Sequence, residues 1–220
     1  MGRLIVLEGL DGCGKSTQLQ RLDEYLESTG KPYRQISFPD YGQPSSALVR
    51  EYLAGSYGSK PGDVNAYAAS SFYAVDRYAS FKQFWQKDYE ADTFILAARY
   101  VTSNGIYQTA KLPRSEWEAY LSWLEDYEYD RLGLPRPDEV LFLDLPMDLS
   151  KRLIMSRYQG DASRQDVHER DDEFMRNCHE AARFIAARQG WTMIPCSKNG
   201  EIRPIDDITA DLIACVERRL

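Results

Sequence analysis

Nine residues near the amino terminus, Gly9-Leu10-Asp11-Gly12-Cys13-Gly14-Lys15-Ser16-Thr17, constrain this chain more than any other stretch, because they fit the spacing G-x-x-x-x-G-K-[ST]. The aliphatic run Leu4-Ile5-Val6-Leu7 precedes them, and a helix-like segment from about Lys15 to Ser28 follows, closed by Gly30 and Pro32. Between a strand and a helix, such glycines let main-chain N–H groups turn inward and approach phosphate oxygens closely. The start of the helix adds the positive end of its dipole. Lys15 is placed to reach the β- and γ-phosphates as a point charge, and the Ser16 hydroxyl suits a magnesium ion. Gly9, Asp11, Gly12, Cys13, Gly14, Lys15, Ser16 and Thr17 therefore read as a phosphate cradle.

Downstream, strand-like and helix-like segments alternate. Tyr33 to Phe38 reads as a second strand stopped by Pro39, Thr93 to Ala98 as a third, Val140 to Leu145 as a fourth, and Thr192 to Cys196 as a weaker fifth. Helical patterns cover about Asp63 to Lys87, Glu116 to Tyr129 and Asp172 to Arg188. The first of these is small or apolar nearly all round, which predicts burial on more than one side. Continuous aliphatic runs suit strands covered on both faces, joined by right-handed helical crossovers. The expectation is a three-layer α/β sandwich, a mainly parallel five-stranded sheet flanked by helices, as one P-loop domain over residues 1–220. Ligands of such sheets sit beyond the carboxyl ends of the strands. That directs attention to the residues after Leu7, Phe38, Ala98 and Leu145.

Composition excludes several classes. With 43% hydrophobic and 28% charged residues in 220, the chain has enough apolar material for one core. The net charge of −7 disfavours a bulk nucleic-acid binder, so local basic clusters must hold any anionic ligand. Cys13, Cys178, Cys196 and Cys215 form no C-x-x-C pair, and His168 and His179 lack the spacing of a zinc motif. No apolar stretch nears the roughly 20 residues of a membrane span, and no signal-peptide pattern is evident, which predicts a cytoplasmic protein.

Among proteins with such a cradle, a guanine-reading switch would carry Asn-Lys-x-Asp after a late strand. Here that place holds Cys196-Ser197-Lys198-Asn199-Gly200. Motor and transporter ATPases are usually longer. Small size and arginines near several strand ends favour a small-molecule kinase.

Several further segments, in order, resemble the thymidylate kinase family: Leu7-Glu8-Gly9-Leu10-Asp11, Phe38-Pro39-Asp40-Tyr41-Gly42-Gln43, Tyr73-Ala74-Val75-Asp76-Arg77, Arg99-Tyr100-Val101-Thr102-Ser103-Asn104 through Tyr107, Gly133 to Asp138, and Asp166-Val167-His168-Glu169. The resemblance implies transfer of the γ-phosphoryl group of ATP, with Mg2+, to thymidylate. It implies that Tyr73 stacks on the base and that Arg77 and Asn104 bond its edge. Arg99 would grip the acceptor phosphate with Phe38 shaping the pocket, Asp11 would accept from the 3′-hydroxyl, and Tyr107 would exclude a ribose hydroxyl. On the residues alone, Tyr73 and Phe38 also suit core aromatics, Arg77 and Arg99 structural ion pairs, and Asn104 a cap. A kinase for another nucleoside monophosphate is the neighbouring alternative.

The polar segment 156–170 reads as a lid over phosphates, with Arg157 and Arg164 as the cations for the transferred group. Arg152 would stack on adenine, and Glu169 would support magnesium or the sugar. One departure stands out: the family usually has Asp immediately before the Arg-Tyr pair, and this chain has Ala98. Altered metal handling through Asp11, Glu8 or Glu169, weak catalysis in a nucleotide-binding paralogue, and an engineered substitution all stay open. The family also pairs through helices flanking the sheet, which implies a homodimer through the Asp63–Lys87 helix, with Ala66, Ala69, Phe72 and Ala79 on its faces.

Overall fold

The computed structural model describes residues 2–157, 168 and 171–220, Arg157 by its backbone alone. Arg164, Glu169 and most of the expected lid segment lie outside the described residues. Strand β1 (Leu4–Gly9) is buried along its whole length. It pairs in parallel with β3 (Phe94–Ala98) on one side and β4 (Glu139–Asp144) on the other. The outer strands are β2 (Tyr33–Ser37) and β5 (Thr192–Pro195), giving one five-stranded parallel sheet in the order β2-β3-β1-β4-β5. Chain order reverses at β1, so the crevice for a ligand opens at its carboxyl end.

Each central strand feeds two cores. Leu4, Val6, Ile95, Ala97 and Phe142 face one layer, while Ile5, Leu7, Leu96, Leu141 and Leu143 face the other. This period-two division explains why the strands read as unbroken aliphatic runs. The second layer rests on helix α1 (Lys15–Thr29), with Leu22 and Leu26, and on the last helix (Ile205–Glu217), with Leu212 and Val216. The first rests on three helices that build the pocket side: Ala66–Ser80, Val101–Thr109 and Asp172–Gln189. In chain order the helices after α1 are α2 (Ala47–Leu53), α3 (Ala66–Ser80), α4 (Gln86–Glu90), α5 (Val101–Thr109), α6 (Trp117–Glu125), α7 (Met147–Arg157), α8 (Asp172–Gln189) and α9 (Ile205–Glu217). A two-stranded hairpin, Ser197–Lys198 with Glu201–Ile202, stands apart from the sheet.

The expected helix over Asp63–Lys87 needs correction in three ways. Its start is a single tight turn (Pro61–Asp63), with Asn65 capping α3 by accepting from the Ala68 N–H at 2.9 Å. Between α3 and α4 the chain widens into one π-helical turn, Phe81–Trp85, which packs both end rings inside. Nor is the helix buried on more than one side: its buried residues, Ala66, Ala69, Ser70, Ala74, Asp76, Arg77 and Ser80, share one broad face. Tyr67, Val75 and Tyr78 are exposed, whereas Ala66 and Ala69, expected at a partner, lie in this chain's own core. Among the described residues, no helix is long and apolar enough to cross a membrane.

Candidate active site

The loop from β1 into α1 turns on glycines at positive φ, and at Gly12 the neighbours also leave no room for a side chain. Gly12 has φ +75°, and a Cβ there would lie 2.6 Å from the Ser150 carbonyl oxygen and 2.6 Å from Ile154 on α7. Gly14, at φ +91°, is the cap of α1, with open space where its side chain would be. The Lys15 ammonium lies across this loop, donating to the carbonyls of Gly9 at 2.7 Å and Leu10 at 2.8 Å. Ser16 and Thr17 are exposed at the start of the helix. Asp11, Gly12, Gly14, Lys15, Ser16 and Thr17 line one cavity of about 1630 Å³ (counted to its open mouth), together with Ala98 and Arg99, whereas Gly9 does not and the Cys13 side chain is buried in the core beneath the loop.

A second cavity, about 540 Å³ on the same measure, adjoins it under α3 and α5. Asp11, Phe38, Tyr73, Arg77, Arg99, Asn104 and Tyr107 all line it, so the seven residues implicated in acceptor binding come together. Asp11, Phe38, Pro39, Tyr41 and Arg99 belong to both cavities and form the wall between them.

Arg99 stands at the centre of that wall. Its backbone sits at φ +63°, an unfavourable region for a residue with a Cβ, held by its own N–H donating to Leu7 O at 3.1 Å. Its guanidinium bonds Asp11, reaches Ser103 Oγ at 3.3 Å and lies 3.7 Å from Glu8. The Tyr107 hydroxyl donates to the other Asp11 oxygen at 2.8 Å. Burial opposes the charge on Asp11, but Arg99, then Lys15 and the Tyr107 hydroxyl, outweigh it and hold the carboxyl down at about 2. Asp11 is thus ionised at any working pH.

Glu8, by contrast, is spent on structure. It is fully buried and accepts from Gly9 N–H at 2.9 Å, Thr102 Oγ at 2.8 Å and Ser103 Oγ at 2.7 Å, tying the cradle to α5. That removes Glu8 from the carboxylates open to a metal. Among the described residues no cluster of three or more His, Cys, Asp or Glu side chains could hold one. The exposed Ser16 hydroxyl and ionised Asp11 still fit magnesium, which takes few protein oxygens and completes its shell with phosphates and waters.

The deep end of the acceptor cavity is a buried polar corner. Arg77 donates to Glu128 from Nε at 2.7 Å and from Nη2 at 2.6 Å, and from Nη1 to Tyr100 O at 3.3 Å. Asn104 Nδ2 donates to the same carboxylate at 2.9 Å and to Ser70 O at 3.1 Å. Arg77 is therefore both a structural ion pair and a pocket wall, as Phe38 is both core and wall. Tyr73 stands edge-on to Tyr52 at 6.3 Å.

Sequence reasoning missed Glu128, Gln108 and His168. A buried arginine demands a counter-charge, but the acidic run from Glu125 to Asp130 offers four. Gln108 repeats the Asn104 face one turn on, lines the pocket and leaves its Oε1 buried without a partner among the described residues. His168 stacks on the Tyr107 ring at 5.6 Å, with its Nε2 2.8 Å from the Tyr52 hydroxyl. Arg152 lies exposed on α7 and lines neither cavity.

Burial, then the Lys111 ammonium, keeps His168 neutral and pushes it down to about 3. The unfolded chain takes up this proton near pH 6.5, the folded chain only near 3. The resulting stability is complete above about 6.5 and lost as pH falls. By linkage the loss is about 2 kcal/mol at pH 5. Urea unfolding at pH 7 and pH 5 is expected to show that extra loss in the wild type and its absence in His168→Phe. Equal pH dependence in the two would contradict the assignment.

Two cavities sharing a wall of Asp11 and Arg99 let two nucleotides meet phosphate to phosphate, which is the layout of a P-loop nucleoside monophosphate kinase. Comparison with known proteins narrows the class. The sequence profile described as "Thymidylate kinase" matches residues 7–203. A thymidylate kinase of Mycobacterium tuberculosis is 33% identical over 190 residues, 86% of this chain and 87% of that one. The human thymidylate kinase is 29% identical over 203 residues, covering 91% and 85%. A solved thymidylate kinase from Candida albicans shares the fold with a TM-score of 0.73 at 24% identity, over 99% of this chain and 92% of that one. This chain belongs to the thymidylate kinase family.

Proposed function

We propose that this enzyme transfers the γ-phosphoryl group of ATP to thymidylate, giving ADP and thymidine diphosphate by direct in-line attack. The observation that carries the reading is the shared wall, where the phosphate cradle and a base-sized pocket meet at Arg99 and Asp11. Main-chain amides of residues 9–17 hold the donor polyphosphate, and Lys15 leaves its carbonyl partners to follow the transferred group. Arg99 turns its fork from Asp11 to the acceptor phosphate, and Asp11 then accepts from the sugar hydroxyl. Tyr73 lies on the base, Arg77 and Asn104 read its edge, and Tyr107 fills the space a ribose hydroxyl would need. Arg157 and Arg164 are the further cations assigned to the transferred phosphoryl group, and Arg152 is assigned to adenine. Magnesium, when bound, offsets phosphate charge, and Ser16 with Asp11 would hold it, joined by Glu169. A coupled assay of ADP release across the common monophosphates tests the reading. Turnover is expected to be fastest with dTMP, and preference for another acceptor would remove the thymidylate assignment.

Ala98 bears on metal handling, because it closes β3 at the edge of the donor cavity and brings no carboxylate there. Ala98→Asp is expected to raise turnover at limiting magnesium about three- to tenfold by adding an oxygen ligand to the metal or its waters. Titration of activity against magnesium checks this, and an unchanged dependence would contradict it. The exposed Tyr67, Val75 and Tyr78 side of α3 is the surface proposed for a homodimer, to be checked by sedimentation against the 25.3 kDa chain mass. A cytoplasmic location belongs to the same proposal.

A further inference from the structure

We propose that Glu128 sets the hydrogen-bond polarity of the acceptor pocket, so that the pocket takes a pyrimidine carrying an imide N–H, thymine or uracil, and rejects cytosine. The inference rests on the acceptor-pocket reading above and adds to it a residue that positions two others.

Glu128 has no exposed surface and lies on the π-helical segment Asp126–Arg131 that continues α6. The wide turn places its carboxylate between Arg77 of α3 and Asn104 of α5. The Asn104 amide there faces two groups that only accept: a Glu128 oxygen paired with Arg77, and the Ser70 carbonyl. Both hydrogens of Nδ2 are therefore committed. Turning the amide over would set its oxygen against a carboxylate and a carbonyl, which is strongly unfavourable in a buried site. The Tyr120 hydroxyl pins both helices, lying 2.6 Å from Ser70 Oγ and donating to Asn104 O at 3.3 Å. Oδ1 of Asn104 is left for the pocket it lines, and it can only accept. Arg77 can only donate, and three of its five N–H groups are already used by Glu128 and Tyr100.

The corner thus presents one acceptor beside donors. A thymine or uracil ring offers the complement, an N3–H beside a carbonyl oxygen. Cytosine offers the reverse, a bare N3 against the Asn104 oxygen and an amino group against the Arg77 N–H groups. Sites built around such a bond reject the wrong partner by about 10⁴-fold. Thymine and uracil differ here only by a methyl group, a difference of roughly 10- to 200-fold.

The test compares kcat/KM for dTMP and dCMP in the wild type and in Glu128→Gln. Wild-type turnover of dTMP stands or falls with the proposed function, whereas the change in ratio on substitution tests Glu128 alone. A glutamine at 128 can accept from or donate to Asn104, which frees the amide to turn. The dTMP to dCMP ratio is then expected to fall at least about tenfold, with the loss on dTMP mainly in KM. Equal losses for both nucleotides would mean that Glu128 only supports the fold, and would overturn the proposal. Losing a buried charge partner is costly, so a second measurement uses the wild type. In ¹⁵N-labelled protein both Asn104 side-chain protons are expected to be protected from exchange with and without dTMP. Exchange at the rate of an exposed amide would overturn the proposal.

Discussion

Lys15→Ala is expected to lower kcat about a thousandfold, roughly 4 kcal/mol, while leaving the KM for thymidylate within about twofold. The phosphoryl group in flight spreads charge over its equatorial oxygens, and a fixed cation beside them stabilises that state more than the ground state. Lys15 is the cation nearest the cradle. Its ammonium is held at 2.7 and 2.8 Å by the carbonyls of Gly9 and Leu10, so it is already ordered beside the proposed phosphate site. Lys15 itself lines the large open cavity, so water enters the space its side chain leaves and the fold is expected to survive. Steady-state kinetics with both substrates varied checks the split. A large rise in thymidylate KM with kcat preserved would show that Lys15 serves the acceptor instead.

Arg99→Lys is expected to cost about a hundredfold in kcat/KM for thymidylate, expressed largely as KM, with donor affinity little changed. The substitution keeps the positive charge that holds Asp11 ionised and removes the planar fork. Arg99 now spreads its donors over Asp11, Ser103 and Tyr107 from a backbone held at φ +63°. That arrangement fixes a bidentate group to aim at an acceptor phosphate, and a lysine from the same backbone offers only a point charge. Near-normal kcat/KM in Arg99→Lys would mean that charge alone suffices there.

The donor half of this site was legible in sequence because it is local: glycine spacing and one lysine sit within nine residues, with a strand directly before them and a helix directly after. The three central strands were legible for a related reason, since Leu4–Leu7, Phe94–Ala98 and Val140–Leu143 must be apolar on both faces. The acceptor half was legible only through family likeness, and its supporting residues stayed hidden. Glu128 looks like any acid of Glu125–Asp130 until the π-helical turn points it inward. Gln108 reads as an ordinary helix residue, and the placement of His168 against Tyr107 spans 61 positions of chain. The small residues Ala66 and Ala69 misled because packing within a chain and packing between chains both select small side chains; only the burial pattern separates them.

The most direct measurement is a crystal structure with dTMP and a non-hydrolysable ATP analogue bound together. The expected result is the analogue's polyphosphate wrapped by amides of residues 9–17, and the dTMP phosphate on Arg99 pointing at it. A donor bound elsewhere, or an acceptor whose phosphate turns away from Arg99, would contradict the account.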